Sequence, residues 1–216
     1  MIDELWRRFI EALAPLKQAG KLKAVHFQFA PWVLRNRAGQ AHVRECGERM
    51  AGHLLAVEFR HQSWFERAEV VKSTLDFERE LGVVHVVVDG PQGFRNSVPT
   101  VWEQTSDELA ILRLPGRNDA TWGQKWLSAA SDRFNYDYSE EELAGFDAGD
   151  YRDGAEGEGG AGGVQQQYGG PGAKECAEFD GFVGGDWWGL TFGGFASGRC
   201  PLHLTPFFLG LSKGLV

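Results

Sequence analysis

The stretch LLAVEFRHQSWF, residues 54–65, puts Glu58, Arg60 and His61 where a core strand would otherwise stay apolar. A second carboxylate, Asp89, closes the run VVHVVVDG at 83–90, and Arg113 stands near the end of ELAILRLPG at 108–116. Two carboxylates at one mouth can divide general acid and general base work when burial or charge separates their proton affinities. Guanidinium groups grip a carboxylate or phosphate through paired N–H donors, so Arg60 and Arg113 suit a small anionic ligand. Glu58 and Asp89 are therefore the candidate catalytic pair. Arg60, His61, Arg113, Gln28 and Trp64 are the candidate substrate contacts. The bland alternative is that Glu58–Arg60 and Asp89–Arg113 are ion pairs filling an interior. By parity His61 leans away from Glu58 and is more simply a cap or a supporting residue, and Trp64 is more simply packed against a helix. His26, Glu58, His85 and Asp89 can be drawn as metal ligands, but no compact ligand spacing supports a metal, and none is assigned. The sequence leaves any cofactor undetermined. GFRNS and PGRN hold one glycine each and are no phosphate cradles, and neither a dinucleotide fingerprint nor a nucleophile elbow is present.

The elements that must position these residues alternate. Leu5, Phe9, Ala12, Leu13 and Leu16 form one stripe of a helix over 2–18. A strand over 23–31 stops at Pro31, and a helix over 38–52 closes at Gly52. The strand at 54–61 precedes a helix over 63–81, with Ser63 and Glu66 as a capping box and Gly82 as the stop. After the strand at 83–90 comes a loop with Pro91, Gly93 and Pro99 and a short helix near 99–104. The strand at 108–116 leads to helices at 122–131 and from Ser139, where Ser139 and Glu142 form another capping box. Val-, Ile- and Leu-rich strands alternating with helices imply βαβ units and a parallel sheet.

Within each strand, side chains alternate between faces. His26 and Gln28 share one face, as do Ala56, Glu58 and Arg60; Leu109, Ile111 and Arg113 do the same, and Asp89 goes with His85 and Val87. Each strand thus has one apolar face and one that turns polar toward its C-terminal end. A barrel interior has that character, with its active site at the C-terminal rim, whereas a doubly wound sheet is covered by helices on both faces. The expected fold is α/β: an incomplete TIM-barrel-like (β/α) domain with about four parallel strands.

The chain of 216 residues has a net charge of −8, which argues against a nucleic-acid partner because phosphate binding needs a basic face. Cys46, Cys176 and Cys200 are odd in number and lack metal-type spacing, pointing to a reducing, cytoplasmic compartment. The N-terminal MIDELWRRFIEALAPLK is amphipathic rather than signal-like, and no run of about 18 apolar residues exists to span a membrane. Only 10 of the 29 glycines fall in residues 1–146. From DAGDYRDGAEGEGGAGG onward neither period 2 nor period 3.6 persists, so the boundary is placed near Phe146, with 147–216 a Gly-rich, non-native or disordered tail.

VHFQFAP, LAVEFRHQSWF, VVVDGP, ILRLPGRN and FNYDYSEEEL occur in order and at suitable spacing. Together they resemble the YecE-like family, also called domain of unknown function 72, over roughly residues 5–146; AVEFRHQSW is the specific match. The resemblance implies a TIM-barrel-like fold with a rim pocket of unassigned chemistry. Pro115 stands where the family pattern has His, and Trp32 where it has the second Pro of P-P. Against the family pattern the chain lacks about three initial strands and the closing V-x-V-x-F-N-N strand. A reading frame shifted by one base can be written for residues 147 onward that supplies that strand, so the tail is expected to be an out-of-frame translation. Two functional expectations result: a hydrolase or lyase acting on a small anionic substrate, or a non-catalytic small-ligand-binding module. The first is joined to a third, that the family pocket is enzyme-like while this chain is an inactive fragment, and the binding module is the alternative. Oligomeric state is left open.

Overall fold

In the computed structural model, residues 2–94, 97–124, 136–146 and 161–166 are described. The order is α1 (Ile2–Gln18), β1 (Val25–Phe29), α2 (Arg37–Arg49), β2 (Leu55–Phe59), a 3-10 turn (Gln62–Trp64), α3 (Ala68–Leu81), β3 (Val84–Val88), β4 (Leu109–Leu114), α4 (Asp119–Trp122), α5 (Glu140–Ala144) and β5 (Ala161–Gln166). All strands are parallel and lie in sequence order, β1-β2-β3-β4-β5. That order has no point of reversal, unlike a doubly wound sheet.

Register decides what each face carries. Gln28 is level with Glu58, Ala56 with Val84, and Val88 with Arg113. On one face, Ala56, Val84 and Val86 are buried together, with Leu109, Ile111 and Val88 packed against them. The other face meets the helices: Val25, Phe29, Leu55, Val57 and Phe59 pack with Leu13 of α1, Val43 and Cys46 of α2, and Phe77 of α3. Burial of this kind is worth about 1.5–3 kcal/mol per large apolar side chain. Burial also pushes the Cys46 thiol up to about 12.

Local signals explain several element ends. Gly82 closes α3 at φ 64, in the left-handed region where a side chain would be strained. Ser139 and Glu142 form the expected reciprocal capping box on α5. Asn36 accepts from the Gly39 amide at the start of α2.

The start of α3 differs from the sequence expectation. His61 accepts from the Ser63 amide and caps the 3-10 turn, so the helix begins only at Ala68 and no Ser63–Glu66 box forms. Residues 99–104 form no helix. On α1, Leu5 is 49 % exposed, and Trp6, Phe9 and Ile10 pack on the core beside Leu13, so the stripe is rotated from the expected one. Most of the expected helix at 122–131 lies outside the described residues, as does the expected tail apart from β5. No element was expected beyond Phe146. The backbone of 161–166 nevertheless pairs with the full length of β4. The GG pair in AGGVQQ hides it from propensity, whereas the edge of β4 provides the ladder.

Candidate functional site

The C-terminal ends of the strands carry two polar clusters, one on each face of the sheet. The first is built on Glu58, which is 3 % exposed. Nη1 of Arg113 donates to both of its oxygens, at 2.8 and 2.9 Å. Gln28 Nε2 donates to Oε1 at 2.7 Å, and Nε2 of His26 lies 3.1 Å from Oε2. Burial by itself would raise the proton affinity of Glu58. The Arg113 guanidinium and the His26 contact outweigh it and hold the carboxyl at about 2. Glu58 is a permanent anion, unsuited to general acid chemistry near neutrality.

Gln28 has a fixed orientation. Its Nε2 faces the carboxylate, so Oε1 faces outward and accepts from Arg60 Nη1 at 3.3 Å. Arg60 is exposed at the end of β2. It thereby stands at the rim, one step beyond the buried pair.

The second cluster is built on Asp89, which is 5 % exposed and follows β3. Arg117 grips it bidentately, Nε to Oδ2 at 2.8 Å and Nη2 to Oδ1 at 2.9 Å. The Tyr138 hydroxyl donates to Oδ2 at 2.8 Å and accepts from the Gly116 amide at 3.2 Å. Arg117 also reaches Glu142, which accepts from the Tyr136 hydroxyl at 2.7 Å. Asp89 raises the proton affinity of Arg117 further. Burial, then Asp89, pushes the Tyr138 phenol up, while hydrogen bonding to Glu142 pushes Tyr136 up to about 12.

Glu58, Arg113, Gln28 and Arg60 are thus brought together. Asp89 is not: it alternates with Val88 and joins the side of the sheet that carries Val87, Leu112 and Leu114, where Tyr138 packs. The expected Glu58–Asp89 acid–base pair is corrected on that ground, and so is the pairing of charges. Arg113 binds Glu58, Arg117 binds Asp89, and Arg60 contacts Gln28.

His61 serves the 3-10 turn, with Nδ1 also 2.9 Å from the Ser63 hydroxyl. Trp64 is fully buried, stacked on Phe59 at 3.8 Å with Nε1 donating to the Val33 carbonyl, so it has no face left for a ligand. His85 was expected on the inner face. It instead meets the buried Glu78 of α3 at 3.0 Å. His85 and Asp89 therefore cannot join His26 and Glu58 around one ion, and among the described residues no group of three His, Cys, Asp or Glu could hold a metal.

Arg117, Tyr138 and Glu142 escaped the sequence reading as site residues. They come from loops and a helix cap, where no strand alternation assigns a face. The signal lay in PGRN, whose arginine follows Arg113 by four residues, and in Tyr-x-Tyr, where a buried hydroxyl needs a partner.

The family model described as "Protein of unknown function DUF72" matches residues 1–158. The chain belongs to the DUF72 family. This DUF72 chain is similar to the UPF0759 protein YunF of Bacillus subtilis (strain 168), with 34 % identity over 146 residues, 65 % of this chain and 50 % of that protein. It therefore spans half the length of the curated relative it matches. Among solved DUF72 structures, one from Enterococcus faecalis V583 shares 26 % identity, with a TM-score of 0.70 over 84 % of this chain and 68 % of that one. Another, from Thermotoga maritima MSB8, shares 27 %, with a TM-score of 0.65 over 82 % of this chain and 64 % of that one. No helix among the described residues is long and apolar enough to cross a membrane.

Proposed function

We propose that this chain carries the rim site of a TIM-barrel-like, cytoplasmic protein that takes a small anionic substrate and acts on it by proton transfer, as a hydrolase or lyase. One observation carries the reading: the carboxylate of Glu58 is buried on the inner sheet face and saturated by side chains from β1 and β4. Buried carboxylates are uncommon unless they are paired or functional. Ionised as it is, Glu58 works by orienting its neighbour. Nε2 of His26 lies 3.1 Å from Glu58 Oε2, and the imidazole beside that ionised carboxylate is the group assigned to take and return a proton. Its side chain is 15 % exposed, enough for contact with a ligand. Arg113 already neutralises Glu58, and Arg60, held by Gln28 Oε1, brings a second guanidinium to the rim. That placement suits a phosphate or carboxylate.

The saturation of Glu58 also favours a second reading, a binding module without chemistry. Calorimetry and product assays on the purified chain, across phosphate esters, sugar acids and organic acids, separate the two. Arg60→Gln should weaken binding at least tenfold, and His26→Gln should abolish turnover with binding intact. Binding without turnover across the panel establishes the module. Binding indifferent to Arg60 sinks both readings.

A further inference from the structure

Large apolar side chains at 38 % exposure or more are few among the described residues: Ile2 and Leu5 on α1, and Trp32 and Leu34 in the β1–α2 loop. Trp32 is the extreme case, at 67 %. Its loop leaves the C-terminal end of β1, the same end of the sheet that carries Gln28 and Arg60. Phe29 and Phe59 are register partners, so the loop starts level with Arg60.

This loop is tied down on either side of Trp32 by bonds of its neighbours. The Val33 carbonyl accepts from Trp64, and the Val33 amide donates to Ala30. The Arg35 amide donates to Ser63, and its guanidinium binds Ser73 and Thr74 of α3. Behind it, a Cβ at Gly39 would lie 1.9 Å from the Leu34 carbonyl oxygen, so α2 leaves no room for the loop to fall back. The chain thus buries Trp64 and anchors the loop through it, yet leaves the larger part of Trp32 in water. An exposed indole on a rigid loop at a binding rim has a direct use. Aromatic faces stack on flat rings with little entropy lost, because the platform is already fixed.

We propose that Trp32 is the ring-stacking residue of the rim site, and that the ligand is a small anion bearing a planar ring, its charge on Arg60 and its ring on Trp32. This deepens the small-anion reading and rests on it. It also assigns to Trp32 the role that the sequence alone offered to Trp64.

Phenyl phosphate and inorganic phosphate are the probes, titrated calorimetrically into the full chain, Trp32→Ala, Trp32→Phe and Arg60→Gln. Stacking on an aromatic side chain is worth about tenfold or more in affinity. The chain should therefore bind phenyl phosphate at least tenfold more tightly than phosphate. Trp32→Ala should erase that preference with phosphate affinity unchanged, Trp32→Phe should keep most of it, and Arg60→Gln should weaken both probes. A preference unaltered in Trp32→Ala overturns the stacking role and leaves the anion site standing. Loss of the preference with Arg60→Gln silent overturns the anion site on Arg60, and this proposal with it. Binding of neither probe overturns both readings. Sedimentation velocity on the same variants supplies the last arm: if Trp32→Ala changes the oligomeric state and not the preference, the indole covers a protein contact and the proposal fails.

Discussion

Replacing Arg113 by Met tests the charge arrangement most sharply. The substitution keeps an unbranched apolar stem and removes the guanidinium bonded to both Glu58 oxygens. In the native chain the Glu58 carboxyl falls from the ordinary 4.5 to about 2. That difference is worth about 3 kcal/mol of stability. Stranding a buried charge costs about 3–5 kcal/mol, so Arg113→Met should lose that much at pH 7. Equilibrium urea unfolding followed by circular dichroism measures it. The pH dependence carries the sign. A depressed folded value means that Glu58 stabilises above pH 4.5 and that this contribution is lost as the pH falls toward 2. In Arg113→Met, burial dominates and the folded value rises above the unfolded one, so that variant should gain stability as the pH drops from 7 to 5. The double variant Glu58→Gln/Arg113→Met buries no charge and should recover most of the loss. The reasoning is refuted if Arg113→Met costs less than about 1 kcal/mol, or if the double variant is no more stable than the single one.

Other outcomes follow from single contacts. Trp64→Ala empties a fully buried, stacked site and should cost about 3–5 kcal/mol, whereas Trp32→Ala should stay within about 0.5 kcal/mol, both read from urea midpoints. Tyr138→Phe removes a donor to Asp89 and an acceptor for the Gly116 amide, for about 1–3 kcal/mol; a thermal midpoint equal to that of the native chain would contradict the buried network. Gly39→Ala forces backbone apart at Leu34 and should cost about 1–3 kcal/mol, seen as a lowered urea midpoint.

Residues inside strands were legible in the sequence because period-2 alternation is a geometric rule. It put Gln28, Glu58 and Arg113 on one face, and the structure bonds them to one another. Which arginine meets which carboxylate was not legible, since a guanidinium reaches residues on strands that are not adjacent. Arg113 passes over β3 to Glu58 and leaves Asp89 to Arg117. Loops defeat the rule altogether. On β3 the alternation held, but it did not say which face turns toward Ala56: Val84 and Val86 do, not His85 and Val87, so Asp89 was assigned to the wrong companion. The capping box at Ser63 failed because His61 offered the Ser63 amide an acceptor first. Composition likewise said nothing about Trp32, whose exposure depends on what holds its neighbours.

The Glu58–Arg113 bridge joins β2 to β4 over an intervening strand to which neither residue belongs. It therefore audits alignment during folding. If β4 docked one residue out of step, Arg113 would turn toward the helices and Glu58 would be left as a naked interior charge. Apolar strands such as VHVVV and LAILRL tolerate sliding, since Val, Ile and Leu fill one another's places at small cost. The ion pair does not, and its penalty discards misaligned sheets that hydrophobic contact alone would accept.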